Sequence, residues 1–331
     1  MTRSNPIIAV VGSLNVDLVT RTPRVPAGGE TLIANGFDTG HGGKGANQAV
    51  ACARLSRTAA QASQGSAADV DVHMIGAVGD DQFGSEFLEA LKRDGLNVEG
   101  VKIVEGEKTG VAVIVVEEAT GENRIMVSPG ANYRVDEIPL LDGDTTLAVF
   151  QLEIPIEVVL LNIKDAKARG IDTLLNPAPA VDFPNDLYQG LGHLVVNESE
   201  AVLLSGQPVE NITADSNLTA VAAEFLKKGV KNIVITLGSA GVFYHNAARQ
   251  ASNLPGKMIA AQKVKVVDTT AAGDTFVGAY AVAVARSKSQ SQEGNFDIDA
   301  AVEFANRAAA QTVQRRGAQS AIPWLDEVPE A

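Results

Sequence analysis

The sequence predicts an α/β fold around a mostly parallel sheet, and two observations carry that reading. Short apolar runs at residues 7–11, 72–78, 147–152, 173–175, 194–196 and 233–237 have the length of buried strands, and stretches of helical spacing lie between them. Strands that alternate with helices pair in parallel, with helices covering both sheet faces. The helical spacing is clearest at 46–54, where Ala46, Ala49, Val50 and Ala53 recur, and it returns at 84–94, 157–169 and 219–228. Two segments break this rhythm, 31–39 and 109–128, the second formed by runs at 110–117 and 124–128 on either side of the turn-prone Ala119-Thr-Gly-Glu-Asn. They predict a small antiparallel accessory sheet. Residues 58–69 and 287–295 are rich in Ser, Gln, Ala and Gly without periodicity and are expected to be surface loops.

Composition narrows the class of function. The chain has 331 residues, 45% hydrophobic and 20% charged, which is the profile of a globular chain that buries a sizeable core. Its 27 Lys and Arg stand against 40 Asp and Glu, a net charge of -13 that opposes long-range attraction to nucleic acid or an anionic membrane. A phosphate ligand would therefore need locally supplied amides. Cys52 is the only cysteine, so no intrachain disulfide forms, and a small buried hydrophobe in a reducing compartment is expected. The first apolar run, 7–11, is too short for a signal or membrane helix, and the expectation is a soluble, cytoplasmic protein.

Three stretches carry chemistry. Asp268-Thr-Thr-Ala-Ala-Gly-Asp-Thr-Phe276 follows a β-like run at 264–267 and precedes an apolar helical stretch at 277–285, which places Gly273 and Asp274 where a helix begins. A helix start offers unpaired amides and a positive dipole end, and Ala271, Ala272 and Gly273 are small enough for phosphate oxygens to approach that backbone. By itself Asp274 reads more readily as a helix cap than as a catalyst, and the surrounding motifs reverse that order. Gly40-His-Gly-Gly-Lys-Gly-Ala-Asn-Gln-Ala49 is a glycine-rich turn opening a helix, without the spacing of a Walker loop or a dinucleotide fingerprint. Its glycines let backbone lie close to a polyhydroxylated ligand, with Lys44 and Asn47 as donors, although a structural turn has the same pattern. Gly12-Ser-Leu-Asn-Val-Asp17 ends the first strand, where open α/β sheets place ligands, and Asn15 and Asp17 alternate to one side. The same residues also suit an ordinary turn. Glu153 ends the strand at 147–152 and is a single clue of the same kind.

Taken together, these stretches resemble the ribokinase branch of the phosphofructokinase-B family of carbohydrate kinases over nearly the whole chain. GGKGANQA and DTTAAGDTF match the family's two signature regions in order, and Leu175-Asn-Pro-Ala-Pro-Ala180, Val196-Asn-Glu-Ser-Glu200, Ile235-Thr-Leu-Gly-Ser239 and Arg316-Gly-Ala-Gln319 are similar to further family segments. The resemblance implies one three-layer α/β/α domain over 1–331 with a β lid at about 18–40 and 105–130. It implies phosphorylation of D-ribose at O5 by ATP, with Asp274 as general base and the amides of Ala271, Ala272, Gly273 and Asp274 as the anion hole. Asn15, Asp17, Gly43, Lys44, Asn47, Glu153 and Asp274 would bind the sugar. Asn197, Thr236, Gly238, Ser239, Gly241 and Asn306 would line the nucleotide, and Glu200 would hold Mg2+ through water, a pair with Asn197 that a helix cap would equally explain. Asp268 and carbonyls of Thr270, Thr312, Arg315 and Gly317 would surround K+. Ala321 departs from the serine usual there, which removes one ligand of that cation. A homodimer through the lids is also implied.

Overall fold

The computed structural model describes residues 5–206, 212, 217–290 and 296–330. Its strands, in chain order, are β1 (Ile7–Val11), β2 (Asn15–Thr22), β3 (Gly36–Gly42), β4 (Asp71–Gly79), β5 (Val101–Val104), β6 (Gly110–Glu117), β7 (Asn123–Ser128), β8 (Thr145–Phe150), β9 (Asp172–Leu175), β10 (His193–Asn197), β11 (Asn232–Thr236), β12 (Val242–Asn246) and β13 (Lys257–Ile259). The helices are α1 (Lys44–Leu55), α2 (Ala59–Ser63), α3 (Gln82–Arg93), α4 (Ile156–Ala168), α5 (Glu198–Ser205), α6 (Leu218–Lys227), α7 (Ala247–Ala251), α8 (Ala272–Gln290) and α9 (Ile298–Thr312).

Nine strands form one sheet in the order β13-β12-β11-β10-β9-β8-β1-β4-β5. Every pairing from β11 to β5 is parallel, and only the two at the other edge, β11 with β12 and β12 with β13, are antiparallel. Alternation along β1 shows how the layers arise. Ile8 and Val10 enter the core shared with α1, α3, α8 and α9, while Ala9 and Val11 enter the core shared with α4, α5 and α6. Both faces are thus buried, which is why these strands read as continuous apolar runs.

Helices α1 and α8 approach unusually closely. A Cβ built on Gly278 would lie 2.4 Å from the Cβ of Ala51, so only a glycine lets the two backbones meet there. Cys52 is fully buried at the same contact, its thiol donating to the Gly278 carbonyl at 3.6 Å, as a small core hydrophobe should be.

The remaining four strands form the small sheet, in the order β3-β2-β6-β7. Its two hairpin pairs, β2 with β3 and β6 with β7, are antiparallel, and they join through a parallel pairing of β2 with β6. Asn15 and Asp17 open β2 instead of lying in a turn, because their backbone pairs on both sides with β3 and β6. The strand expected at 31–39 starts only at Gly36 and runs on to Gly42.

Elsewhere the structure corrects the sequence in three places. Residues 264–267 are not a strand: no neighbouring strand pairs with them, Val266 and Val267 are 60% and 46% exposed, and the amides of Val267 and Asp268 bond the Val313 carbonyl. The stretch 58–69 contains α2, nucleated by a capping box in which Thr58 and Gln61 satisfy each other's amides. The loop expected at 287–295 is helical up to Gln290, and 291–295 lie outside the described residues. Among the described residues no helix is long and apolar enough to cross a membrane.

Candidate active site

The carboxyl ends of β1, β8, β10 and β11 face the start of α1 and the start of α8, the crevice where parallel sheets hold ligands. Glu153, just past β8, ties the first two walls together. Its Oε2 accepts from the Ser13 hydroxyl at 2.6 Å and from the Lys44 amide at 2.9 Å, so a carboxylate sits on the positive end of α1. Gly43 has φ of 83°, and a side chain there would press on the backbone of Asn15 at 2.7 Å. A Cβ on Gly42 would likewise fall 2.3 Å from the Asp17 carboxylate. The glycines of this turn therefore let the chain lie against the 12–17 segment.

Asn15 is buried and its Oδ1 accepts from Nδ2 of Asn132 at 2.8 Å, leaving the Asn15 amide hydrogens for a ligand. Asn132 also brackets Leu14, accepting from its amide at 2.9 Å and donating to its carbonyl at 3.0 Å. Nothing in its own stretch of sequence marked Asn132, since its partners lie more than a hundred residues earlier.

The start of α8 forms as expected from its small residues. Ala271 holds a φ of 58°, a left-handed conformation rare for a side-chain-bearing residue, and its carbonyl accepts from both the amide and the hydroxyl of Thr275. The Ala272 amide bonds the Thr269 carbonyl at 3.3 Å, so the open donors of the helix start are those of Gly273 and Asp274. A Cβ on Gly273 would meet nothing within 4 Å, which leaves that backbone open to an anion.

Asp274 stands in the first turn of α8, not at a cap, and is 8% exposed. Its Oδ2 accepts from Nδ2 of Asn47 at 3.0 Å and its Oδ1 from Nε2 of Gln48 at 3.0 Å. Oδ1 of Asn47 is buried without a hydrogen-bond partner, a free acceptor beside the aspartate. Gln48, Gln151 and Asn176 form a further amide chain behind it that the sequence motifs did not single out.

A cavity of about 210 Å³ opens here, lined by Lys44, Asn176, Asn197, Glu200, Thr236 and Asp274 among others. Burial opposes the charge on Lys44, but the carboxylates of Asp274, Glu153 and Glu200 outweigh it and hold the ammonium above its ordinary value. Burial also raises Glu200, with Asp274 adding to it, against the downward pull of Asn197 and Lys44. Asn197 and Glu200 do form the cap of α5: both Glu200 oxygens accept from Asn197, at 2.9 and 3.0 Å, and the Glu200 amide returns to Asn197 Oδ1. Gly238 and Ser239 lie in a single helical turn after β11 that Gly241 closes at a φ of 110°. Asn306 is not in the same cavity. It donates to the Ala260 carbonyl at 2.8 Å and lines a second cavity of about 480 Å³ with Ile259, Gln262 and Val264.

Asp268 joins two loops behind α8. Its Oδ1 accepts from the amide and hydroxyl of Thr270 and its Oδ2 from the Gly317 amide at 3.0 Å, bonds that outweigh burial and hold the carboxyl below its ordinary value. The two loops are therefore already tied without a cation. Thr312 is fully buried with its hydroxyl on that of Thr275, Arg315 pairs with Glu327, and Ala321 is fully buried. A carboxylate fixed between the two loops supplies a hard oxygen donor, the kind of ligand a monovalent cation takes.

The family model for pfkB family carbohydrate kinases matches residues 6–325. The chain is 46% identical to a ribokinase of Schizosaccharomyces pombe over 97% of its length and 96% of that protein's. It is 35% identical to a deoxyribokinase of Salmonella typhi, over 98% and 97%. A solved ribokinase of Arabidopsis thaliana, complexed with ribose and ATP, superposes with a TM-score of 0.82 at 29% identity, covering 98% of both chains.

Asp17 generates a pH prediction. Burial, with Glu153 and Asp274 adding like-charge repulsion, pushes its carboxyl from 3.8 up to about 7. Between those values the folded chain keeps a proton that the unfolded chain has lost, so stability should fall as pH rises through that window and level off above about 7. Asp17→Asn should remove that fall. Denaturant unfolding of both proteins across the window checks it, and parallel pH curves would mean the carboxyl titrates normally.

Proposed function

The chain belongs to the pfkB family of carbohydrate kinases, and from that premise we propose that it transfers the γ-phosphoryl group of ATP to the 5-hydroxyl of D-ribose, giving D-ribose 5-phosphate. One observation carries this reading: Asp274, at the open amides of α8, is held 3.0 Å from the Asn47 amide of the glycine-rich turn. A base, a polyol donor and an anion site thus meet at one point. The S. pombe relative and the ribose and ATP complex of the Arabidopsis neighbour support the choice of substrates.

Phosphoryl transfer is mostly positioning and charge stabilisation, and these residues supply both. Asn15, Asp17, Gly43, Lys44, Asn47 and Glu153 bind the sugar hydroxyls, the acids and Oδ1 of Asn47 accepting, Lys44 and the Asn15 NH2 group donating. A bound hydroxyl replaces Asn47 at Oδ2 of Asp274 and gives it the proton as its oxygen bonds the γ-phosphorus, the bond from that phosphorus to the bridging oxygen breaks and ADP leaves. The amides of Gly273 and Asp274, with Ala271 and Ala272 shaping the turn, hold the charge on the moving phosphoryl group. Thr236, Gly238, Ser239 and Gly241 line the nucleotide on one side and Asn306 on the other. Glu200, beside Asn197, would hold Mg2+ through water, and the ion when bound neutralises the phosphate oxygens. Asp268 with carbonyls of Thr270, Thr312, Arg315 and Gly317 would hold K+, steadying the turn before α8.

The small sheet, within about 18–40 and 105–130, acts as a lid over the sugar. Every residue of its edge strand β7 is exposed, including Ile125, Met126 and Val127 at 55%, 61% and 53%, so we assign it to pairing with a second copy. Sedimentation should give a homodimer at working concentration. A fully active monomer would remove the interface.

For the reaction, ADP release should require ribose over deoxyribose, fructose or adenosine as acceptor, and Asp274→Asn should lower turnover about a hundred- to ten-thousand-fold with ligand binding kept. Near-normal turnover in that variant would reject Asp274 as the base, and preference for deoxyribose would move the chain toward the Salmonella relative's activity. For the cation, turnover in excess magnesium should be higher in potassium chloride than in an organic-cation salt of equal ionic strength, and Asp268→Asn should shift the response to higher potassium. Equal turnover in both salts would dismiss the site.

A further inference from the structure

We propose that Gln48 is a positioning residue for phosphoryl transfer, pinning Oδ1 of Asp274 through a one-way chain of buried amides so that Oδ2 alone faces the sugar. The inference rests on Asp274 being the base of the reaction above. Gln48 and Gln151 are both fully buried. Nε2 of Gln48 lies 3.0 Å from Oδ1 of Asp274 and 3.0 Å from Oδ1 of Asn176, Nε2 of Gln151 donates to Oε1 of Gln48 at 2.7 Å, and Nδ2 of Asn176 donates to the Val195 carbonyl at 3.0 Å.

The direction of this chain is forced. An ionised carboxylate only accepts, so the Gln48 amide must turn its NH2 group to Asp274. Its oxygen then faces Gln151 and takes a donor there, which fixes that amide too. Turning Gln151 would set oxygen against oxygen, and turning Gln48 would set its oxygen against the Asp274 carboxylate and its NH2 group against that of Gln151, leaving buried polar groups unsatisfied. Gly12 gives Gln151 its place, since a Cβ there would fall 2.0 Å from Oε1 of Gln151. That Oε1 has no hydrogen-bond partner among the described residues, so the chain begins at Gln151 and ends at Asp274 and Val195. Asn47 differs: its own Oδ1 is an unpartnered acceptor, so it can turn to a hydroxyl and release Oδ2. Gln48 has no such freedom, and the two neighbours on α1 divide the work of yielding to the substrate and holding the base.

The test is steady-state ADP release against pH, with ribose and ATP, for the unsubstituted chain, Gln48→Met and Gln48→Glu, with near-ultraviolet circular dichroism to verify folding. Gln48→Met keeps the volume without the donor, and it should lower kcat about a hundredfold while KM for ribose stays within about threefold. In Gln48→Glu the substitute carboxyl donates to Asp274 only while it keeps its proton. Its kcat should fall with rising pH along a limb that the unsubstituted chain lacks. Gln48→Glu keeps the shape and carries the test if Gln48→Met does not fold. A Gln48→Met kcat within about threefold of the unsubstituted value, or a Gln48→Glu profile parallel to it, would overturn the inference and leave the proposed reaction standing. An unsubstituted chain inactive on every sugar tried would overturn both.

Discussion

The site depends on how closely α1 and α8 approach. Asn47 and Gln48 belong to one helix and Asp274 to the other, more than two hundred residues apart, and they meet at hydrogen-bond distance. That approach is set one turn below Asp274 by Gly278 against Ala51 and Cys52, where even one methyl group would separate the backbones. Helix pairs usually stand 8–10 Å apart according to the side chains between them, so small residues at the crossing decide what the polar residues at its end can touch. The core thus fixes the distance across which the chemistry is done.

Electrostatics set a second constraint. Glu153, Glu200 and Asp274 surround Lys44, with Asp17 close to Glu153 and Asp274, in a chain whose net charge is -13, a poor setting for an anionic nucleotide. The arrangement works through neutral donors. Open amides at the start of α8, set by the left-handed turn at Ala271, offer charge stabilisation that does not depend on net charge. Acids are then free to serve the polyol, where acceptors are wanted.

Much of this was legible in the sequence, and the exceptions have physical reasons. The glycine-rich turn and the helix start at 272–274 could be read because their roles follow from local backbone: small residues, a glycine at positive φ, and a helix beginning. Asn197 with Glu200 was legible both ways, and the cap is the geometry the structure displays. Gln48, Gln151, Asn132 and Asn176 escaped because a buried amide has meaning only through its partners, and those lie on other strands and helices. The β-branched residues at 264–267 looked like a strand because strand propensity reports fit to a pleated neighbour, and there is no neighbour at that position. Strands β5 and β13 went unread for the converse reason, being edge elements of four and three residues with partly exposed side chains that only the sheet they join makes into strands.

The connections between the two sheets have a mechanical consequence. Three residues separate β1 from β2, and one residue, Gly43, separates β3 from α1, so the small sheet is rooted at Asn15 on one side and Lys44 on the other. In the proposed function both roots bind the sugar. A molecule held by both would bear on the small sheet at the points where it joins the large one. Hinge and grip would then be the same few residues, and the outer sheet a lever whose position reports on what is held at its fulcrum.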